Sequence, residues 1–270
     1  MIRLENLHKR FNPGTANEVY PLRGVNLEVK EGEFITVIGT NGSGKSTLLN
    51  VIAGAFLPDS GKIFIAGNDV TQKKDFERAK YISRVFQNPF MGTAPEMTIA
   101  ENLLMAVLRG GKHSPKIGLN ADRFANFRGE LAKLEMGLED RLNTVISTLS
   151  GGQRQAVTLL MAVIKVPKVL LLDEHTAALD PKSAAQVIQL TKTFIEEKKL
   201  TTLMVTHSMQ QALDLGSQTI MMHRGEIIDA ISEKDKRRLT VNDLLDKFAE
   251  LRKSEKLTDA VIEQLRREYI

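Results

Sequence analysis

The sequence predicts an α/β fold built on a mainly parallel sheet, with an antiparallel β layer, an inserted helical lobe and a C-terminal helical appendage. Three observations carry this. Residues 34–38, 169–172 and 203–205 are short, nearly unbroken apolar runs of the kind buried on both faces in a parallel sheet. Val25, Leu27 and Val29 instead alternate with Asn26 and Glu28, the period-two pattern of a half-buried strand, which places them in a separate antiparallel layer. Between residues 88 and 166 the composition turns helical, so a lobe interrupts the sheet domain.

Taken in order, Glu31-Gly32 turns the first strand into the run at 34–38, and residues 48–52 follow as a helix. Ile63 and Ile65, ending at Gly67-Asn68, form part of a hairpin, and residues 81–86 form a strand that stops at Gln87. Thr98 and Glu101 have capping-box spacing ahead of Leu103, Leu104, Val107 and Leu108, and a second helical pattern covers 121–138. The stretch 109–118, rich in Gly, Lys, Ser and Pro, reads as a loop whose basic residues are solvated. Asp180-Pro181, a cap followed by proline in the first turn, launches a helix to about residue 198. After residue 231 the chain is charge-dense with mixed signs. Val241, Leu244, Leu245, Phe248 and Leu251 keep helical spacing there, and a further helix starts near Thr258. The expected division is a main domain over 1–231, its helical lobe at about 89–166, and an extension over 232–270.

Composition sets limits on function. A length of 270 residues suits one large domain with a lobe, and 42% hydrophobic content is ordinary for a globular chain. A net charge of +4 from 37 basic and 33 acidic residues, with no basic stripe, argues against a nucleic-acid partner. No cysteine is present, which excludes disulfide scaffolds and thiolate metal sites. The first ten residues carry Arg3, Glu5, Lys9 and Arg10 and lack the apolar stretch of a signal peptide. No run approaches the roughly 20 apolar residues needed to span a bilayer, so a membrane function needs another polypeptide to cross it.

The most informative motif is Gly39-Thr40-Asn41-Gly42-Ser43-Gly44-Lys45-Ser46-Thr47, set between a strand and a helix. It meets the phosphate-loop pattern in its required context and defines a P-loop NTPase core. The glycines let backbone N–H groups converge on phosphate oxygens, and the helix behind them contributes about half an elementary positive charge. Lys45 adds a full charge toward the β- and γ-phosphates, and the Ser46 hydroxyl is placed to ligate Mg²⁺.

A second motif, Leu149-Ser150-Gly151-Gly152-Gln153, starts like a capped helix, but an ordinary cap needs no paired glycine. Just beyond it, Val169-Leu170-Leu171-Leu172-Asp173-Glu174 ends a buried strand in two carboxylates. With these in order, the sequence over residues 2–231 resembles the ATP-binding subunits of ABC transporters. That resemblance implies ATP and Mg²⁺ as ligands and the following roles. Ser150, Gly151, Gly152 and Gln153 would clamp the γ-phosphate held by the phosphate loop of a second copy, giving an ATP-dependent head-to-tail homodimer. Asp173 would hold Mg²⁺ through water, and Glu174 would orient and deprotonate the attacking water. Gln87 would touch Mg²⁺ and water and report to the transport partner, and His207 would hydrogen-bond the γ-phosphate. Asp180 falls where the family carries a dimer-contacting aspartate, and its cap role stands beside that. Phe11 sits at the adenine-stacking position, with Tyr20 the alternative. His8, His113, His175 and His223 are expected to be surface or packing residues.

Two departures from the family pattern stand out. His175 occupies a position usually held by proline, and residues 143–148 lack the acidic residue common in exporters, which favours an importer. In both respects the chain resembles the subset paired with lipoprotein-type solute-binding proteins for amino acids or related small solutes. The implied machine is cytoplasmic, held on the inner face of the cell membrane by an integral-membrane permease that docks near residues 87–98 and touches 88–97. The alternatives are an exporter subunit, a soluble ABC ATPase that moves no solute, or a non-hydrolysing regulatory module. The last would be marked by loss of Glu174 or His207, and both are present.

Overall fold

The computed structural model describes residues 1–111 and 118–253. In chain order its elements are β1 (Ile2–Phe11), β2 (Val19–Val29), β3 (Phe34–Gly39), α1 (Lys45–Ala53), β4 (Ser60–Ile65), β5 (Asn68–Asp69), α2 (Asp75–Arg78), β6 (Ile82–Val85), α3 (Ile99–Leu108) and α4 (Ala121–Ala132). A 3₁₀ turn at Ile146–Thr148 leads into α5 (Gly151–Val163). Then come β7 (Val169–Asp173), α6 (Pro181–Lys198), β8 (Thr201–Val205), α7 (Met209–Asp214), β9 (Gln218–His223), β10 (Glu226–Ser232), α8 (Glu233–Lys236) and α9 (Val241–Lys253).

The strands form two sheets. One has four antiparallel strands in the order β2-β1-β4-β5, and the other has six in the order β10-β9-β3-β8-β7-β6. In the second sheet β9, β3, β8, β7 and β6 run parallel, and only β10 is antiparallel, paired with β9. The apolar runs explain why. Along β7, Val169 and Leu171 pack toward β1, β3 and α1, whereas Leu170 and Leu172 face the helical lobe with Leu103, Leu131 and Leu160. A strand buried on both faces can have no polar alternation, as its sequence shows. The antiparallel sheet lies over α1, with Ile2, Leu4, Ile63 and Ile65 packed against Leu48, Leu49 and Ile52. Both the parallel core and the antiparallel layer are therefore as the sequence predicts.

The differences have local causes. Strand β1 escapes the sequence reading because bulges break its alternation between Leu4 and Leu7 and again after Lys9. The hairpin β9–β10 is missed because Ile220, Met221 and Met222 are short and flanked by polar residues, although all three are buried. The helix expected over 121–138 ends at Ala132, and Glu135 (φ 54°) and Gly137 (φ 65°) take left-handed conformations beyond it. Leu134 and Leu138 still reach the core of the lobe through that turn. The capping boxes at Thr98/Glu101 and Ser150/Gln153 are formed, and Asp180 caps α6 with Pro181 at its start.

After β10, Ser232 caps α8 and the chain continues into α9. Leu244, Leu245 and Phe248 of α9 are buried with Ile38, Met209, Ala212, Met221 and Ile231, so the extension packs on the end of the parallel sheet and on α7. The helix expected from Thr258 lies outside the described residues, as do residues 112–117 of the loop expected at 109–118. Among the described residues no helix is long and apolar enough to cross a membrane.

Candidate functional site

The phosphate loop leaves the carboxyl end of β3 and enters α1 through Gly44, the N-cap, whose φ of 102° is left-handed. A Cβ at Gly44 would also lie 2.1 Å from the carbonyl oxygen of Pro21, so β2 presses directly on the loop. Lys45 is buried and curls back, its Nζ donating to the carbonyls of Gly39 (2.6 Å) and Thr40 (3.2 Å). Both contacts are ones that a phosphate can replace.

A cleft of about 250 Å³ opens over this loop, lined by Asn41, Gly42, Ser43, Gly44, Lys45, Ser46 and Thr47. Phe11, Val19 and Pro21 close one side, and Glu174 and His207 the other. Phe11 therefore reaches the cleft, where its ring meets Phe56 edge-on at 5.2 Å between centroids. Tyr20 does not line it. Its ring stacks on His8 and is flanked by Arg10 and Arg23.

Triphosphate and Mg²⁺ fit the donor set. The Ser43 hydroxyl is buried without a hydrogen-bond partner among the described residues, and Gly42 has no atom within 4 Å of where a Cβ would stand. Ser46 Oγ donates to Asp173 Oδ1 at 3.2 Å, so a hydroxyl and a carboxylate, both hard oxygen ligands, face one another.

Glu174 follows β7 with φ 46°, a left-handed conformation for a residue with a side chain, of order 1 kcal/mol in cost. Its N–H donates to the carbonyl of Val205 on β8, which fixes the twist. The result is that Glu174 Oε1 lies 2.5 Å from Nε2 of His207, two residues beyond the end of β8. The sequence separates these two by a helix and a strand, and the parallel pairing of β7 with β8 brings them together.

A second cavity, of about 740 Å³, adjoins the first and shares Ser46 with it. Gln87, Asp173 and Gly151 line it, with Arg84, Phe86 and Asn88 to Met91. Phe90 and Met91, each 54% exposed, and Met97 show apolar surface in the segment expected to dock a partner. Ser150, Gly152, Gln153 and Asp180 line neither cavity. Ser150 is exposed at the start of α5, and its hydroxyl accepts from the Gln153 N–H at 3.2 Å. Asp180 holds its carboxyl below the usual range through the hydrogen bonds from Ser183.

The paired glycines separate in role. A Cβ on Gly151 would make ordinary contact with Leu179, but one on Gly152 would stand 2.6 to 2.7 Å from the side chain of Ser183 on α6. Close packing of α5 on α6 thus requires the second glycine within this chain alone. His175 is fully buried, its Nε2 3.0 Å from Thr191 Oγ1, and burial pushes its pKa down to about 4. It is a packing residue, as expected.

Three residues that motif reading misses hold these parts together. Arg154 donates to the carbonyls of Ile146, Ser147 and Leu149 and lies 3.8 Å from the ring centroid of Phe90, tying the turn before Ser150 to the exposed apolar segment. Gln155 Nε2 donates to the carbonyl of Phe86, next to Gln87, at 3.1 Å. Arg84 bridges Asp173 and Asn50. Each of these follows a motif by one or two positions or precedes one, and only tertiary contact shows its partner.

Comparison with known proteins is extensive. The model of the family described as ABC transporter matches residues 22–177. The tyrosine transport ATP-binding protein of Clostridioides difficile is 42% identical over 92% of this chain and 98% of its own length. The probable sulfate/thiosulfate import ATP-binding protein CysA of Chlorella vulgaris is 40% identical over 87% of this chain and 92% of its own. Among solved structures, the ATP-binding cassette MJ0796, a dimer in a post-hydrolysis state bound to ADP and Pi, aligns with TM-score 0.73 and 31% identity, covering 86% of this chain and 99% of that one. One family accounts for the phosphate loop, the strand-end carboxylates and the order of the sheet, and the chain belongs to it: it is an ATP-binding subunit of the ABC transporter family.

Proposed function

We propose that this ATPase subunit drives an importer for a small solute such as an amino acid, closing head to tail as a dimer around two ATP molecules. The observation that carries the hydrolytic part of the reading is the contact between Glu174 and His207 at the wall of the cleft that Lys45 and Ser46 line. Lys45, released from its carbonyl partners, binds the β- and γ-phosphates, Phe11 stacks on the base, and the amides at 41–47 cradle the phosphate chain. Glu174 orients a water and accepts its proton, while His207 hydrogen-bonds the γ-phosphate and positions Glu174. Ser46, Asp173 and Gln87 would hold Mg²⁺, which would neutralise charge on the phosphate oxygens as the γ-phosphoryl group passes to water.

Ser150, Gly151, Gly152, Gln153 and Asp180 serve the second copy. Ser150, Gly152, Gln153 and Asp180 line neither cavity, which supports this, since the exposed start of α5 can then reach a phosphate held elsewhere. ATP links Lys45 of one copy to Ser150 of the other, and loss of the γ-phosphate removes that link, which couples hydrolysis to opening. Phe90, Met91 and Met97 offer the apolar surface on which a helix of a membrane permease seats, which would hold the subunit at the cytoplasmic face. A separate solute-binding protein completes the complex. The similarity to a tyrosine transport subunit supports an amino acid as the solute.

The test is to purify the subunit with its permease and binding protein and measure which solute stimulates ATP hydrolysis. Stimulation by amino acids is expected, and stimulation only by inorganic anions or polyamines would overturn the choice of solute. Cross-linking of position 91 to the permease is expected in at least one nucleotide state, and its absence in all states would remove the docking assignment.

A further inference from the structure

Arg84 lies on β6, three residues before Gln87, and its guanidinium forks between two elements. One nitrogen donates to Asn50 Oδ1 on α1 at 2.6 Å, and the other to Asp173 Oδ2 at the end of β7, also at 2.6 Å. The group lies 4.6 Å from the ring centroid of Phe86, and the Arg84 and Asp173 side chains are only 12% and 11% exposed. Ser46 donates to the remaining oxygen of Asp173. The carboxylate assigned to the metal is thus gripped on one oxygen by a permanent cation and on the other by the second metal-holding residue.

We propose that Arg84 is a positioning residue that makes metal binding conditional on nucleotide. It fixes the plane of the Asp173 carboxylate and offsets its charge, so that Ser46 and Asp173 do not retain a divalent cation by themselves. They gain one only when nucleotide phosphates bring further negative charge. A nearly buried carboxylate beside a hydroxyl is otherwise a hard-oxygen site for a divalent ion. A guanidinium in direct contact with that carboxylate repels such an ion, and the repulsion is large where water is scarce. The proposal rests on Ser46 and Asp173 being the metal-holding pair.

Manganese is a suitable probe, titrated into the nucleotide-free full chain and followed by its electron paramagnetic resonance signal. Arg84→Met, which keeps an unbranched apolar stem and loses the charge, is expected to bind Mn²⁺ at least about tenfold more tightly than the native chain. Arg84→Lys, which keeps the charge, should stay close to native, and adding Asp173→Asn to Arg84→Met should abolish the gain. Should the methionine variant lose its native circular dichroism, Arg84→Gln provides the same comparison. Unchanged or weaker Mn²⁺ binding in a folded, uncharged variant would overturn the proposal, as would a gain that survives Asp173→Asn. A separate arm tests the underlying assignment: with ADP present, Asp173→Asn alone should weaken Mn²⁺ binding, and no change there would remove Asp173 from the metal site whatever Arg84 does.

Discussion

At the scale of single residues, Glu174 combines a left-handed backbone with a 2.5 Å contact to His207. The Val205 carbonyl holds this strained conformation, and the conformation aims the Glu174 side chain at His207. Replacing Glu174 by Gln keeps the shape and removes the base, so phosphate release is expected to fall by roughly 100-fold or more while ATP affinity is retained. Normal turnover would show that another group accepts the proton. His175 makes a different prediction. Its folded pKa of about 4 lies below the ordinary 6.5, so between these values the unfolded chain binds more protons than the native one. Stability should therefore fall as pH drops from 6.5 toward 4, by up to about 3 kcal/mol from this residue, and level off below that. Urea denaturation across this range should show a shallower dependence in His175→Leu than in the native chain. The residues of the two glycine-rich motifs and the strand-end acids were legible because their chemistry depends on neighbours in sequence. Arg84, Arg154 and Gln155 are not, because Arg84 meets Asn50 and Asp173 34 and 89 residues away, Arg154 meets Phe90 64 residues away, and Gln155 meets Phe86 69 residues away.

At the scale of elements, the caps are legible in the sequence because Thr98, Ser150 and Asp180 act within three residues of themselves. The strands were read where burial on both faces removes polar residues, as in β7, and missed where bulges interrupt β1. The paired glycine in the first turn of α5 cannot be divided from sequence alone. Its second member is set against Ser183 on α6, so Gly152→Ala should destabilise the fold by about 1–3 kcal/mol through overpacking, and Gly151→Ala by much less. Chemical denaturation of the two variants checks this. Equal losses would mean that the helices can move apart at no cost.

For the whole molecule, three apolar clusters join the antiparallel layer, the parallel sheet, the lobe and the extension. The third was foreshadowed by the spacing of Leu244, Leu245 and Phe248, but its other half, Met209, Ala212 and Met221, comes from elements that the sequence pattern did not mark. Phe248→Ala should cost about 3–5 kcal/mol if α9 unfolds together with the domain. A loss under about 1 kcal/mol would show that α9 detaches on its own. The largest claim concerns two copies. With Glu174→Gln saturated with ATP and Mg²⁺, light scattering behind size exclusion should give twice the mass of one chain, and Ser150→Ala added to it should return the single-chain mass. A hydrolysis-deficient chain that stays single at saturating ATP, or that pairs equally well without Ser150, would contradict the shared grip on the γ-phosphate.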